Sequence, residues 1–296
     1  MNFVRRIFKN ELPFVFACPA LIWQFLFLYL PLCLIMIYSF VDVEKGFRFL
    51  RFTFFHYKEV LNLLYLKVII NSLIIAIFTS MICFLISYPV AYYFSMKVKR
   101  FKTFLLFSLI LPSWTSFIVQ IYCWFFLLQK NGFISFFLYK LGIISDGTHL
   151  LNNYFAILIG MVYCYLPFMI LPIYAVLERM DKDLIEASAD LGANHFQTLR
   201  RVIFPISFPG VLAGFLLVFI ASFGEFAVPD LLGGGKNVFW GSVIVDKFLI
   251  FRDWQSGSSL TAIGVLILGS LFLFIYLLNR FFISFLKKGI SYNGAR

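Results

Sequence analysis

Few residues in this chain are equipped for chemistry, and two carboxylates come first. Glu225 closes a charge-free run of 23 residues, positions 202–224. A carboxylate at the end of such a run is expected near membrane depth, where an ionisable group is costly and marks a functional position by default. Its structural alternative is an ion pair with Arg252 or Lys236. Asp230 lies nearer the surface, and its structural alternative is a turn residue after Pro229. Trp114, Tyr122 and Trp124 offer aromatic faces, with interface-belt or packing roles as the alternative. Nucleotide chemistry is absent. Gly233-Gly234-Gly235-Lys236-Asn237 lacks both the spacing and the hydroxyl of a phosphate loop. No nucleophile elbow, zinc-protease helix or kinase catalytic loop occurs either. His56, His149 and His195 are isolated. Cys18, Cys33, Cys83, Cys123 and Cys164 lie in apolar runs without a CxxC pair and are expected as buried structural thiols, with no disulfide framework and no metal site.

The elements that must position these residues belong in lipid. Of 296 residues, 62% are hydrophobic and 13% charged, against about 25% charged in a soluble domain. A soluble fold of this length would leave large apolar patches in water. Six stretches free of Asp, Glu, Lys and Arg exceed the ~18 residues that mark a span: 12–41, 68–96, 103–129, 147–177, 202–224 and 254–279. Each must be helical, because an isolated segment in lipid has to satisfy its own backbone. The expectation is an all-α membrane protein with one transmembrane domain over 1–296. Its spans fall near 14–40, 68–95, 103–128, 153–177, 204–224 and 257–280. Arg5, Arg6 and Lys9 precede the first run, which is too long for a cleaved signal and is expected to be retained. With the N-terminus inside, inner segments hold 15 of the 25 Lys and Arg, including the dense Lys97, Lys99, Arg100, Lys102 cluster. The positive-inside rule therefore puts both termini in the cytoplasm. The same rule accounts for the net charge of +11. No soluble basic domain is present to bind nucleic acid.

The inner loop at about 178–203 is too polar for lipid, with Glu178, Asp181, Asp183, Glu186 and Asp190. It reads as two short helices. Asp183 is expected to cap the first, with Glu186 three residues on. Leu184, Ala187 and Leu191 share one face, and Gly192 ends the helix with positive φ. Asn194 and Gln197 repeat the capping pattern for a second helix carrying Phe196, Leu199 and Ile203, ending near Pro205. Such a loop is either a well-capped surface element or a knob for a cytoplasmic partner. The outer segment at about 225–253, with Pro229 and Gly233 to Gly235, is expected to form turns or a re-entrant piece. Gly210 and Gly214 form a G-x-x-x-G on the fifth span, for close helix packing within the chain or against another subunit. Pro112, Pro167 and Pro172 are expected to kink spans.

The loop also resembles a known one. Glu186-Ala187-Ser188, three residues, Gly192, nine residues, then Val202-x-Phe204-Pro205 is similar to the EAA loop of ABC importer permeases, in which Ala, Ile and Leu stand at 188, 202 and 204. Leu111 to Phe117, Tyr165 to Met169, Gly224-Glu225-Phe226, Leu231 to Gly234 and Arg252-Asp253-Trp254 resemble the first permease subunit of the putrescine and spermidine systems, the putrescine type especially. The resemblance implies the type I importer fold in a bacterial inner membrane. It implies a second, homologous permease, a homodimer of ABC ATPases that binds ATP and Mg, and a periplasmic polyamine-binding protein. Glu186, Ala187, Ser188, Gly192 and Pro205 would form the ATPase-coupling loop. This chain would be no enzyme and hold no cofactor itself. A polyamine carries ammonium groups on an apolar chain, so Glu225 and Asp230 with Trp114, Tyr122 and Trp124 would suit its path. The other readings are a permease for another small solute and a stand-alone secondary transporter. The second would be expected to carry charged or broken segments within its spans.

Overall fold

The computed structural model describes residues 12–43, 50–60, 62–98, 100–143 and 149–293. The basic N-terminal stretch with Arg5, Arg6 and Lys9, and Lys99 of the inner cluster, lie outside them. Six helical segments are long and apolar enough to cross a membrane: Cys18–Tyr38, Leu63–Met96, Phe117–Lys140, Tyr154–Glu178, His195–Phe223 and Trp254–Leu277. The chain divides into two compact units, Met1–Leu63 with Ile244–Arg296, and Leu64–Val243.

In the first unit, α1 (Leu12–Gln24) passes through a π turn at Phe25–Tyr29 into α2 (Leu30–Tyr38). No residue of Phe25–Tyr38 is buried. Strands β1 (Val41–Val43) and β2 (Leu50–Phe52) pair antiparallel with Val41 opposite Phe52. Helix α3 (Phe55–Val60) follows, and Tyr57 stacks on Phe40 at 5.1 Å while sharing a 2.8 Å hydrogen bond with Ser39.

The second unit holds α4 (Leu63–Met96), α5 (Lys102–Ile110), α6 (Phe117–Leu128), α7 (Phe133–Lys140), α8 (Tyr154–Glu178), α9 (Asp183–Asp190), α10 (His195–Thr198), α11 (Phe204–Phe223), α12 (Ala227–Gly233) and most of α13 (Trp240–Val245). The remainder of the chain, a π turn at Asp246–Ile250 and α14 (Trp254–Asn293), belongs to the first unit. Helix α8 is the core of the second unit, burying Ala156, Ile157, Met161, Met169, Ile170, Ile173 and Leu177. Lipid gives helices no hydrophobic reason to associate, so close approach of small residues does the packing. On α4 all the buried residues but Ile75 are small: Ser72, Ala76, Thr79, Ser80, Cys83, Ser87, Ala91 and Ser95, and Thr79 reaches Met161 Sδ at 3.6 Å. On α11 the G-x-x-x-G faces α8. A Cβ at Gly210 would lie 2.7 Å from the Pro172 carbonyl, and one at Gly214 2.8 Å from Met169 Sδ. The motif therefore serves packing inside this chain.

The charge-free stretch 103–129 is not one helix. Helix α5 tightens into a 3₁₀ turn at Leu111–Trp114, and Thr115 is extended (ψ 161°) before α6 begins. Pro112 lacks the N–H that would continue the helix. The carbonyls freed by the break find side chains. Ser113 Oγ donates to Ile110 O at 2.6 Å, Thr115 Oγ1 to Pro112 O at 2.7 Å, and the buried Gln120 amide to Pro112 O at 2.7 Å. Among the five free cysteines, Cys83 and Cys164 are buried in protein, whereas Cys33 and Cys123 are exposed on membrane-length helices. The expectation of buried thiols fails at those two because their helices turn apolar residues outward rather than into this chain's core.

Candidate functional site

Two arrangements concentrate the polar side chains. The first is the loop after α8. Lys102 at the start of α5 pairs with Glu178 at the end of α8, and its ammonium sits 5.4 Å from the Tyr174 ring centre. Helix α9 then starts one residue earlier than an Asp183 cap requires. Lys182 is already helical (φ −72°, ψ −23°), so Asp183 lies inside the first turn. Its N–H is taken by Asp181 Oδ1 at 3.1 Å. Asp183 and Glu186 place negative charge in that turn, where the helix dipole favours it.

Gly192 ends α9 at φ +80°. Its N–H donates to Ala189 O at 2.9 Å, and Ala193 N–H to Ser188 O at 3.0 Å. This pair of bonds is a Schellman closure, which needs a left-handed residue at that position. Asn194 and Gln197 form the reciprocal capping box of α10, each bond 2.9 Å. Helix α10 does not stop at Pro205. A π turn at Leu199–Ile203 carries it into α11. The wide turn alters the hydrogen-bond register just ahead of Pro205, which then occupies the first turn of α11. Ser188 and Thr198 are both buried, with their hydroxyls 2.9 Å apart. Leu184, Ala187 and Glu186 are exposed, as are Leu191 (89%) and Phe196 (68%). The helix pair is thus closed by its own caps while Leu191 and Phe196 stand bare on its surface.

The second arrangement surrounds Glu225, which is only 9% exposed. Its Oε1 accepts the N–H groups of Phe226 (3.0 Å), Ala227 (2.8 Å) and Val228 (3.4 Å), and so caps α12. Its Oε2 accepts the Tyr165 hydroxyl of α8. Among the described residues, no ion pair joins Glu225 to Lys236. Helix α12 is seated on α8 through glycines: a Cβ at Gly233 would lie 2.8 Å from Ile157 Cδ1, and one at Gly160 3.1 Å from Val228 Cγ1. Gly234 (φ +64°) closes it. The segment after Glu225 thus holds two short helices, α12 and α13. Asp230 is helical, not a turn residue, and accepts the Ser242 hydroxyl of α13 at 2.9 Å.

The sequence-selected aromatic residues do not surround Glu225 as a set. Trp114 is 71% exposed and meets Phe107 edge-on at 5.2 Å. Tyr122 meets Phe125 at 6.5 Å, and Trp124 meets Tyr163 at 5.4 Å. The ring that touches the carboxylate is Tyr165, with Phe117 at 6.2 Å and Phe168 at 6.4 Å from it. Sequence reasoning passed over Tyr165 as a partner, and its one signal was its place in the Tyr165-Leu166-Pro167 stretch.

Comparison with known proteins follows the same lines. Residues 84–288 match the family described as binding-protein-dependent transport system inner membrane component. The spermidine/putrescine transport system permease protein PotB of Haemophilus influenzae is 39% identical over 93% of this chain and 98% of its own. The Escherichia coli protein of that name is 38% identical over 86% of this chain and 92% of its own. The inner membrane ABC transporter permease protein YdcU of Escherichia coli is 30% identical over 72% of each. In three dimensions, a chain of a bacterial ABC transporter involved in the import of the acidic polysaccharide alginate superposes with a TM-score of 0.72, covering 95% of this chain and 99% of that one. At 15% identity that likeness is one of fold, the type I permease fold.

Proposed function

The chain belongs to the family of binding-protein-dependent transport system inner membrane components, and from that premise we propose that it is the first of two permeases in an ATP-driven importer of polyamines, putrescine or spermidine. The observation that carries the substrate class is the 39% identity to a spermidine/putrescine permease across 93% of the chain. In this reading both termini are cytoplasmic, as the Lys and Arg distribution favours. A periplasmic polyamine-binding protein delivers the substrate, a homologous permease forms the other wall, and an ATPase homodimer binds ATP and Mg. Glu186, Ala187, Ser188, Gly192 and Pro205 belong to the loop that seats on the ATPase. The exposed Leu184, Leu191 and Phe196 give that contact its apolar surface.

The residues themselves supply binding and movement. ATPase closure displaces the loop, and α11 carries that displacement into the membrane, so that the two access states exchange. Glu225 presents a carboxylate whose charge is already held by three amides and a phenol. A substrate ammonium would displace the Tyr165 hydroxyl from Oε2 and leave the α12 cap on Oε1 intact. Asp230 is the second anion on this route, and Trp114, Tyr122 and Trp124 would offer cation–π faces along it. A permease for a different small solute is the competing reading, and the YdcU relative, whose name states no substrate, keeps it in view.

The test is ATP-driven uptake of labelled putrescine and spermidine into proteoliposomes holding both permeases, the ATPase and the binding protein. Uptake in the wild type, uncoupled from ATPase activity by Glu186→Lys and slowed by Glu225→Gln, is the expected result. An active complex that carries neither polyamine overturns the substrate class. Transport by this chain without an ATPase overturns the importer reading.

A further inference from the structure

The Arg252-Asp253-Trp254 turn is left unused by the arrangements above. It borders a groove of about 790 Å³ within the unit built from the first and last spans. That volume lies in the ~300–1,000 Å³ range of ligand sites. Pro31, Leu34 and Ile35 of α2 and Phe248 and Trp254 make its wall apolar, and Arg252 is the one charged residue on its lining. Arg252 has a left-handed backbone (φ 53°). The adjacent Asp253 is not its counter-ion. Asp253 accepts the Ser256 N–H at 3.1 Å and pairs with Lys247 at 3.3 Å. Among the described residues Arg252 makes no ion pair. Phe251 and Trp254 beside it are exposed, as aromatic residues are at a membrane–water boundary. The wall on the α2 side comes from a helix with no buried residue. An apolar groove at the end of two spans, with one uncompensated guanidinium at its border, has the charge pattern of an amphiphile with an anionic head.

We propose that this groove holds one anionic membrane phospholipid, its acyl chain along Pro31, Leu34 and Ile35 and its phosphate on Arg252. A guanidinium matches a phosphate bidentately, and the acyl chain supplies the packing that α2 lacks.

Native mass spectrometry of the assembled importer, stripped of lipid and then supplied with phosphatidylglycerol or phosphatidylcholine, tests this. The wild type should retain a phosphatidylglycerol adduct in preference to phosphatidylcholine. Arg252→Gln should weaken retention about fivefold, the worth of one basic residue at an anionic surface. Leu34→Trp should lower retention by filling the groove, while Lys140→Gln leaves it unchanged. No adduct in the wild type, or retention that survives both groove variants, overturns the proposal. So does cross-linking of Ser258→Cys to the second permease, since the groove would then be a subunit contact.

Discussion

The hydroxyls of Ser188 and Thr198 lie 2.9 Å apart in a buried contact that ties α9 to α10. A buried hydroxyl stripped of its partner costs about 1–3 kcal/mol, whereas removing both partners is nearly neutral. Ser188→Ala should therefore speed hydrogen exchange across residues 183–198, and the added Thr198→Val change should recover much of the loss. Equal exchange in the single and double variants would show that the pair does not hold the loop.

Gly192 permits a separate test of the loop's closure. Nothing lies within 4 Å of a Cβ placed there, so a substitution meets backbone strain alone. A left-handed non-glycine residue costs about 1–2 kcal/mol. Gly192→Ala should lower coupling of ATPase activity to uptake, and Gly192→Asn should lower it less, because Asn tolerates that conformation better. An alanine variant with wild-type coupling would contradict the role given to the Schellman closure.

The two oxygens of Glu225 have different partners and should be separable. Tyr165→Phe removes one hydrogen bond to a charged group, worth about 1.5–3 kcal/mol, and leaves the α12 cap in place. It should alter the KM for uptake more than the melting temperature of the purified complex. Glu225→Ala, which removes the cap as well, should lower both. A Tyr165→Phe variant whose loss is entirely in melting temperature would make the pair structural.

Gly214 offers the sharpest packing contrast. Gly214→Leu drives a side chain into Met169, whose Sδ is 2.8 Å from the Cβ position, whereas nothing lies within 4 Å of a Cβ at Gly269. The first change should destabilise the α8–α11 pair by about 1–3 kcal/mol or more, and Gly269→Ala should be silent. Thermal unfolding in detergent measures both.

Asp253 gives a pH dependence. Burial pushes its carboxyl up, but hydrogen bonds from Ser256 and the Lys247 ammonium outweigh this and hold it below the ordinary 3.8. A depressed carboxylate contributes stability above its unfolded value that is lost as pH falls through the folded one. Protection of residues 247–256 against exchange should therefore decline below about pH 3.8. In Asp253→Asn that acid decline should be absent.

Features carried by neighbours in sequence were legible before the fold was known. Five of the six apolar lengths, the left-handed Gly192 and the Asn194–Gln197 box each depend on residues a few positions apart. The Asp183 cap was misplaced because Lys182 is already helical and Asp181 takes the Asp183 N–H that a capping box would give to Glu186. The break at Leu111–Ser116 carried its signal in Pro112, but its stability depends on Ser113, Thr115 and Gln120 turning their side chains back onto freed carbonyls. That compensation cannot be counted from hydropathy. The Tyr165–Glu225 bond spans 60 residues, and no local pattern announces it. The same holds for Gly210 and Gly214, whose spacing announced close packing without saying against what.

The π turn at Leu199–Ile203 joins the loop to the fifth span without a break in the helix. His195–Phe223 is one helical segment of 29 residues, about 44 Å at 1.5 Å per residue. Half of the loop is thus helically continuous with the fifth span, through the π turn and past Pro205 and Pro209. A compliant connection would absorb a push as bending. In the coupling proposed above, a push on Phe196 would pass along this helix, which Gly210 and Gly214 set directly against the backbone of α8. Work delivered at one end would then be spent across the membrane, at the helix that holds Tyr165.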